Sequence, residues 1–305
     1  MFNRDHAPAV GQVEGLADGI RVVTAGNGGP MTFTGTRTYL VGAGDVAVID
    51  PGPADPAHLE AVLAALAPGE RVSHVFVTHS HLDHAPLARP LAERTGAPVI
   101  AFGDSMAGRT PVMEALAASG AHLGGGEGID GGFTPDAYIA DEEVVSAGDW
   151  SLRAIHTPGH LSNHLSFAWD DQRAVFSGDH VMGWATTLVS PPDGDLTAFM
   201  TSLEAMRGQG DVFYPGHGAP ITAPDAMIDH QLAHRRGREA QILTALAEGA
   251  SDIPSLTTRI YADVDPVLHP AAARNVFAHL IDLCERGFLV ADRPLAADAL
   301  FSKLR

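Results

Sequence analysis

The run Thr78-His79-Ser80-His81-Leu82-Asp83-His84 constrains this chain more than any other stretch. It sets three imidazoles and a carboxylate within six positions, directly after the strand-like segment Val72–Val77. Imidazole nitrogen and carboxylate oxygen are the ligands that a borderline divalent metal such as zinc takes. Those groups cannot all reach one ion from a regular strand, because alternate side chains face opposite ways. A turn leading from a strand into a helix would aim them at two neighbouring ions instead.

Three more positions repeat the theme. His160 stands in Thr157-Pro158-Gly159-His160, Asp179 in Ser177-Gly178-Asp179, and His217 in Tyr214-Pro215-Gly216-His217-Gly218. Glycine beside a ligand lets the backbone bend sharply and approach an ion without a Cβ clash. Each position closes a strand-like run, so all could converge on one edge of a sheet. A lone histidine is more often packed or at the surface. Several punctuated His/Asp sites in this order read as a metal centre.

The rest of the chain bounds the setting. At 305 residues and 45% hydrophobic content it can form one large domain, or a catalytic domain with a small appendage. No apolar run is long enough to span a membrane, and the N-terminus shows no basic-then-apolar signal. A cytoplasmic location is the default expectation. Cys284 is the single cysteine, which excludes an intrachain disulfide and a thiolate metal site. A net charge of −18 weighs against nucleic acid as principal substrate, although solubility alone accounts for such a charge.

Strands are expected at Ile20–Val23, Thr38–Val41, Val46–Asp50, Val72–Val77, Ser151–His156, Leu165–Trp169, Ala174–Ser177 and Asp211–Tyr214, and Ala97–Phe102 is another short apolar run. Helices are expected at Pro56–Leu66, Leu87–Arg94 and Leu196–Met206. This is an α/β (α+β) order of hairpins and helices rather than strict alternation, and it suits a sandwich of sheets with helices outside. The glycine-dense segment Gly124–Pro135 should be a surface loop. From Pro224 the composition changes: helices are expected at Asp225–Glu248, Asp252–Tyr261 and Ala271–Arg286, followed by a short strand at Phe288–Val290. The division expected is a catalytic domain at 1–222 and a helical domain at 223–305.

The histidine run resembles the HxHxDH signature of the metallo-β-lactamase superfamily. The stretches Phe176–Asp179, Tyr214–Gly218 and His234–Leu243 are similar to the lactamase-beta-2-like subfamily, which adds a C-terminal winged-helix-like domain. The resemblance covers most of the chain and implies an αββα sandwich. It also implies that His79, His81 and His160 bind a first metal, that Asp83, His84 and His217 bind a second, and that Asp179 bridges the two. Asp50, in Val48-Ile49-Asp50-Pro51-Gly52, would orient a ligand histidine, although a helix N-cap role fits its local sequence nearly as well. His164 would be an outer group or face the substrate. His180 reads as structural or substrate-lining.

Two such ions imply a bridging hydroxide that attacks an electrophile, with Asp83 as the group that accepts or relays the proton. No serine lies in a G-x-S-x-G elbow, so covalent acyl-enzyme chemistry is not expected. All-His/Asp ligation suits zinc first, and also manganese or iron. The bridging carboxylate resembles glyoxalase II, lactonase and ribonuclease relatives more than zinc β-lactamases, leaving β-lactam cleavage as a side activity at best. The expectation is a hydrolase of small or carrier-linked esters, thioesters or lactones. A metal-dependent endoribonuclease on single-stranded RNA and a non-catalytic binding module are the alternatives. Arg235, Arg236 and Arg238 offer an anion-binding group or, more simply, a solvated helix face. Trp184 is expected to line a pocket or to sit in the core. The loops Gly124–Pro135 and Val189–Asp195 should frame the entrance.

Overall fold

Strands with apolar residues on both faces need cover on both sides. The computed structural model, which describes residues 2–124, 126 and 128–304, has two such sheets. The first runs in chain order: β1 (Val13–Ala17), β2 (Ile20–Thr24), β3 (Arg37–Val41), β4 (Asp45–Ile49), β5 (Arg71–Phe76), β6 (Val99–Ala101) and β7 (Ala137–Tyr138). β1 to β4 form an antiparallel meander, and β4 to β7 are parallel neighbours. Parallel neighbours need crossovers. These carry α1 (Pro56–Ala64), α2 (Ala88–Thr95) and α3 (Pro111–Ser119).

The second sheet comprises β8 (Val144–Ala147), β9 (Trp150–His156), β10 (Leu165–Trp169), β11 (Ala174–Gly178) and β12 (Val212–Pro215). It is antiparallel apart from the β11–β12 pair, whose connection carries α4 (Leu196–Ala205).

Side-chain alternation sorts the residues into layers. Tyr39, Ile49 and Phe76 of the first sheet meet Leu152, Phe167 and Phe176 of the second. Leu40, Val48 and Val75 point outward onto Leu59 and Val62 of α1 and Leu91 of α2. Ile155, Val175 and Phe213 point the other way, onto Leu196, Phe199 and Leu203 of α4. Each such aromatic or branched side chain contributes about 1.5–3 kcal/mol on burial. The expected αββα sandwich is therefore present.

The C-terminal part contains α5 (Pro224–Leu246), α6 (Ile253–Ile260), α7 (His269–Glu285) and the antiparallel pair β13 (Leu289–Ala291) and β14 (Phe301–Lys303). Along α5, Met227, Ile228 and Leu232 pack with the sandwich, whereas Ile242 and Leu246 pack with α6 and α7. That second core also takes Met113 and Leu116 from α3.

Candidate metal centre

β4, β5, β9, β11 and β12 all end at one rim, where the two sheets meet, and each leads into a loop carrying His or Asp. The structure gathers all seven sequence-predicted side chains there. His79, His81, His160 and Asp179 form one group of mutually close ligand atoms, and Asp83, His84 and His217 form another. In the first, His81 Nδ1 lies 2.9 Å from His79 Nε2 and 3.1 Å from His160 Nε2. In the second, His217 Nε2 lies 3.1 Å and His84 Nε2 3.4 Å from Asp83 Oδ2. The Asp179 carboxylate stands between the groups, 3.7 Å from His160 Nε2, 3.3 Å from His217 Nε2 and 3.5 Å from His84 Nε2.

These residues fit a metal by three observations. Ligand atoms at zinc's bond lengths stand about 3.3 Å apart in a tetrahedron, which is the range of separations seen here. His84 Nε2, His217 Nε2 and Asp179 Oδ1 are buried without a hydrogen-bond partner among the described residues. Such groups are costly unless something binds them. Finally, Gly216 keeps the cradle open, because a Cβ there would lie 2.3 Å from Asp179 Oδ1 and 2.7 Å from His84 Cε1.

Hydrogen bonds behind the rings fix their tautomers. His84 Nδ1 donates to Asp50 Oδ2 at 2.8 Å, and His160 Nδ1 donates to the Leu188 carbonyl at 2.8 Å. His79 Nδ1 donates to Thr78 Oγ1 at 2.9 Å, and that hydroxyl donates onward to Asp50 Oδ2 at 2.8 Å. His217 Nδ1 faces the Gly35 carbonyl at 3.3 Å. With Nδ1 engaged behind each ring, Nε2 is the nitrogen turned towards the cluster.

Charges follow the same geometry. Burial disfavours the charged form of His84, but Asp83, Asp179 and Asp50 override it and hold its pKa well above the usual value. His217 is likewise buried, and Asp179 and Asp83 raise it to about 9. Burial opposes ionisation of Asp83 and Asp179, yet His84 and His217 hold both carboxyls well below the usual range. In the first group burial dominates, reinforced by neighbouring imidazoles, and His81 falls to about 3.

The outer residues also find places. Asp50 receives Thr78 N at 2.7 Å as well as His84, so it fixes the His84 ring, while the N-cap of α1 is Asp55. His164 accepts the Asp179 N–H at Nε2 (3.1 Å) and meets Thr157 Oγ1 at Nδ1 (2.8 Å), which makes it a backbone clamp. His180 donates to Ser202 Oγ beneath the site. Trp184 stacks on Phe33 with ring centroids 5.0 Å apart, beside Gly218. Asp193 links the loop Val189–Asp195 to the glycine loop by accepting the Gly126 N–H at 2.7 Å, and the glycine loop pairs with the histidine turn through Leu82 N to Gly128 O. Residues 125 and 127 of that loop lie outside the described residues.

The basic stretch is a correction. Arg235 is buried, binding Asn275 Oδ1 and the Thr187 carbonyl, so it is neither a solvated face nor a free anion site. Arg238 lies over the Tyr261 ring, and Arg236 alone of the three is exposed. Sequence reasoning missed Thr36, whose Oγ1 donates to Asp83 Oδ2 at 3.3 Å, as well as Thr78, Thr157 and the Leu188 carbonyl. Only Thr78 and Thr157 had a signal, since each stands at a strand end beside the histidine motifs.

A two-sheet sandwich that gathers histidines and aspartates at its strand ends defines a class, the metallo-hydrolases of αββα architecture. The chain belongs to the metallo-beta-lactamase superfamily: residues 31–217 match that family's model, and residues 253–293 match the beta-lactamase associated winged helix domain. It is a hydrolase of that superfamily. It is 29% identical over 285 residues to a beta-lactamase-like protein 2 homolog of Caenorhabditis elegans, covering 90% of this chain and 87% of the relative. It is 31% identical over 265 residues to an atrochrysone carboxyl ACP thioesterase of Paecilomyces divaricatus, covering 86% and 75%. A beta-lactamase domain protein from Burkholderia ambifaria shares the fold with a TM-score of 0.81 at 22% identity, over 98% of this chain and 96% of that one. No helix among the described residues is long and apolar enough to cross a membrane.

Proposed function

We propose that this chain is a binuclear metal-dependent hydrolase of small or carrier-linked esters, thioesters or lactones. The observation that carries this reading is the pair of ligand groups with the Asp179 carboxylate between them. His79, His81 and His160 would hold one ion, Asp83, His84 and His217 the other, and Asp179 both. Divalent ions held there, zinc by preference, would supply an activated water and polarise the scissile carbonyl.

The chain's own residues supply the rest. Asp50, Thr78 and the Leu188 carbonyl hold the rings of His84, His79 and His160 with Nε2 towards the cluster before an ion arrives. The Asp83 side chain keeps 25% exposure against 8% for Asp179, so it is the cluster's carboxylate most open to solvent. As the carboxylate most open to solvent, it would accept a hydrogen bond from an incoming water and relay the proton. Thr36 fixes its rotamer.

The thioesterase relatives favour an acyl substrate. Two features speak against RNA. Phosphate binding needs clustered Lys and Arg, whereas the chain carries −18 net charge. In addition, α7, the helix a winged domain would insert into a groove, buries every residue from Val276 to Leu283. In this reading residues 1–222 form the catalytic unit, residues 223–305 form a helical support, and α5 joins them.

The test is turnover of zinc-loaded protein on a panel of thioesters, esters, lactones, a chromogenic β-lactam and labelled single-stranded RNA, with wild type and Asp83→Ala. Asp83-dependent cleavage of an acyl substrate with inert RNA is expected. Cleavage of RNA alone would overturn the acyl reading.

A further inference from the structure

Arg235 poses an energetic problem. The residue is 3% exposed, and the partners of its guanidinium are all neutral: Asn275 Oδ1 at 2.8 Å, the Thr187 carbonyl, and the Phe199 ring 5.3 Å from Cζ. Its Nε has no hydrogen-bond partner among the described residues. Burying a charge without a counter-ion is costly, and an apolar side chain of similar length would fill the space more cheaply. An arginine does something there that an apolar side chain cannot: its planar fork holds two acceptors from different elements at a fixed angle.

What the fork holds is the segment 187–189, which has no regular secondary structure. Each of its residues reaches something specific. Thr187 gives its carbonyl to Arg235, and its hydroxyl donates to the Asp179 carbonyl at 2.9 Å and to the His180 carbonyl at 3.0 Å. The Leu188 carbonyl receives the Nδ1–H of His160 at 2.8 Å. Val189 N donates to Asn275 Oδ1 at 3.4 Å, the same oxygen that receives Arg235 Nη1. A connected path therefore runs from Asn275 on α7, through Arg235 on α5, to the ring of His160 and the backbone of Asp179.

We propose that Arg235, braced by Asn275, is a positioning residue of the metal centre, through which the C-terminal helices set the ring of His160 and the backbone of Asp179. The inference rests on the metal reading above. It gives the C-terminal helices a role in building the active site that requires no nucleic acid.

The test measures zinc affinity and the thermal stability of the metal-free full chain, independently of turnover. Zinc would be titrated by competition with a chromophoric chelator into wild type, Arg235→Met, Arg235→Lys, Asn275→Ala and Asn275→Asp. The expected result is an affinity loss of ~10–100-fold in Arg235→Met and Asn275→Ala, the range for lost outer partners of metal ligands. Arg235→Lys keeps the charge but not the fork, so it should fall in the same direction. Asn275→Asp keeps an acceptor for both Arg235 and Val189 N, and should stay close to wild type. Lowered stability with unchanged zinc affinity would make Arg235 a packing residue and overturn the proposal. If Arg235→Met fails to fold, Asn275→Ala, at a part-exposed position, decides alone. If wild type takes up neither zinc, manganese nor iron, the metal reading itself fails and this inference falls with it.

Discussion

Asp50 Oδ2 accepts the Nδ1–H of His84 at 2.8 Å, from a residue whose backbone sits in the left-handed region at a φ of 52°. That conformation is uncommon outside glycine, and asparagine and aspartate tolerate it best. The turn after β4 thus accepts a strained backbone, and the carboxylate it presents also receives Thr78 N and Thr78 Oγ1.

Replacing Asp50 with asparagine should therefore leave the turn intact and weaken the centre. The amide tolerates the same φ but loses the charge and one acceptor, so His84 is less firmly held with Nε2 facing the cluster. Zinc affinity or kcat should fall ~10–100-fold. Zinc bound per chain, measured beside thermal unfolding, checks this, and an Asp50→Asn enzyme with full zinc and full turnover would refute it.

Gly216→Ala should be more severe than its single methyl suggests. The added Cβ would meet Asp179 Oδ1 at 2.3 Å and His84 Cε1 at 2.7 Å, inside any real contact distance. Both neighbours are buried, with His84 held by Asp50 and Asp179 held at its backbone by His164 and Thr187, so a shift of either opens the cluster. Activity should drop to background while the circular dichroism spectrum stays native. Retained turnover would mean that the cradle is softer than its hydrogen bonds imply.

These two residues show what was legible in the sequence. The histidine run and the glycine-flanked His160, Asp179 and His217 could be read because a metal centre needs particular side chains at strand ends, and glycine marks each bend. The inner strands could be read because burial on both faces makes them apolar. The edge strands could not: Val13–Ala17 and Val144–Ala147 are short and largely exposed, so neither carries the long apolar run of an inner strand. Nor could α3, whose Met113 and Leu116 bury against helices more than a hundred residues away. Arg235 misled for a related reason. In the sequence it sits among other cations, and only the fold brings Asn275 and the Thr187 carbonyl to it. Supports such as the Leu188 carbonyl are backbone atoms, which carry no residue-type signal at all.

Acid should act on the C-terminal core through His279. It is 2% exposed with neither ring nitrogen partnered among the described residues, and burial, followed by Arg235, His234, Arg238 and Arg286, lowers it to about 3. The unfolded chain, with an ordinary imidazole near 6.5, therefore binds the extra proton between those values. Stability is full above pH 6.5 and is lost as pH falls towards 3, at up to about 1.4 kcal/mol per pH unit for this proton. His279→Leu should flatten the acid limb of a plot of Tm against pH. An unchanged slope between pH 6.5 and 4 would assign acid lability to other groups.

Asp193 should govern substrate choice more than chemistry. Its Oδ1 pairs with Arg109 at 2.5 Å and its Oδ2 holds Gly126 N at 2.7 Å, so one carboxylate ties the glycine loop to the loop before α4. Neither contact reaches the metal ligands. Both side chains of the ion pair are about one-tenth exposed, so Asp193→Ala leaves a buried cation alone, at a cost of about 3–5 kcal/mol. Asp193→Asn keeps an acceptor for Gly126 and should be milder. For acyl substrates of graded length, Asp193→Ala should raise KM unequally along the series with smaller changes in kcat, and should leave zinc content unchanged. A uniform fall in kcat with constant KM ratios would place the loops' influence on the chemical step instead, and the entrance role would be wrong.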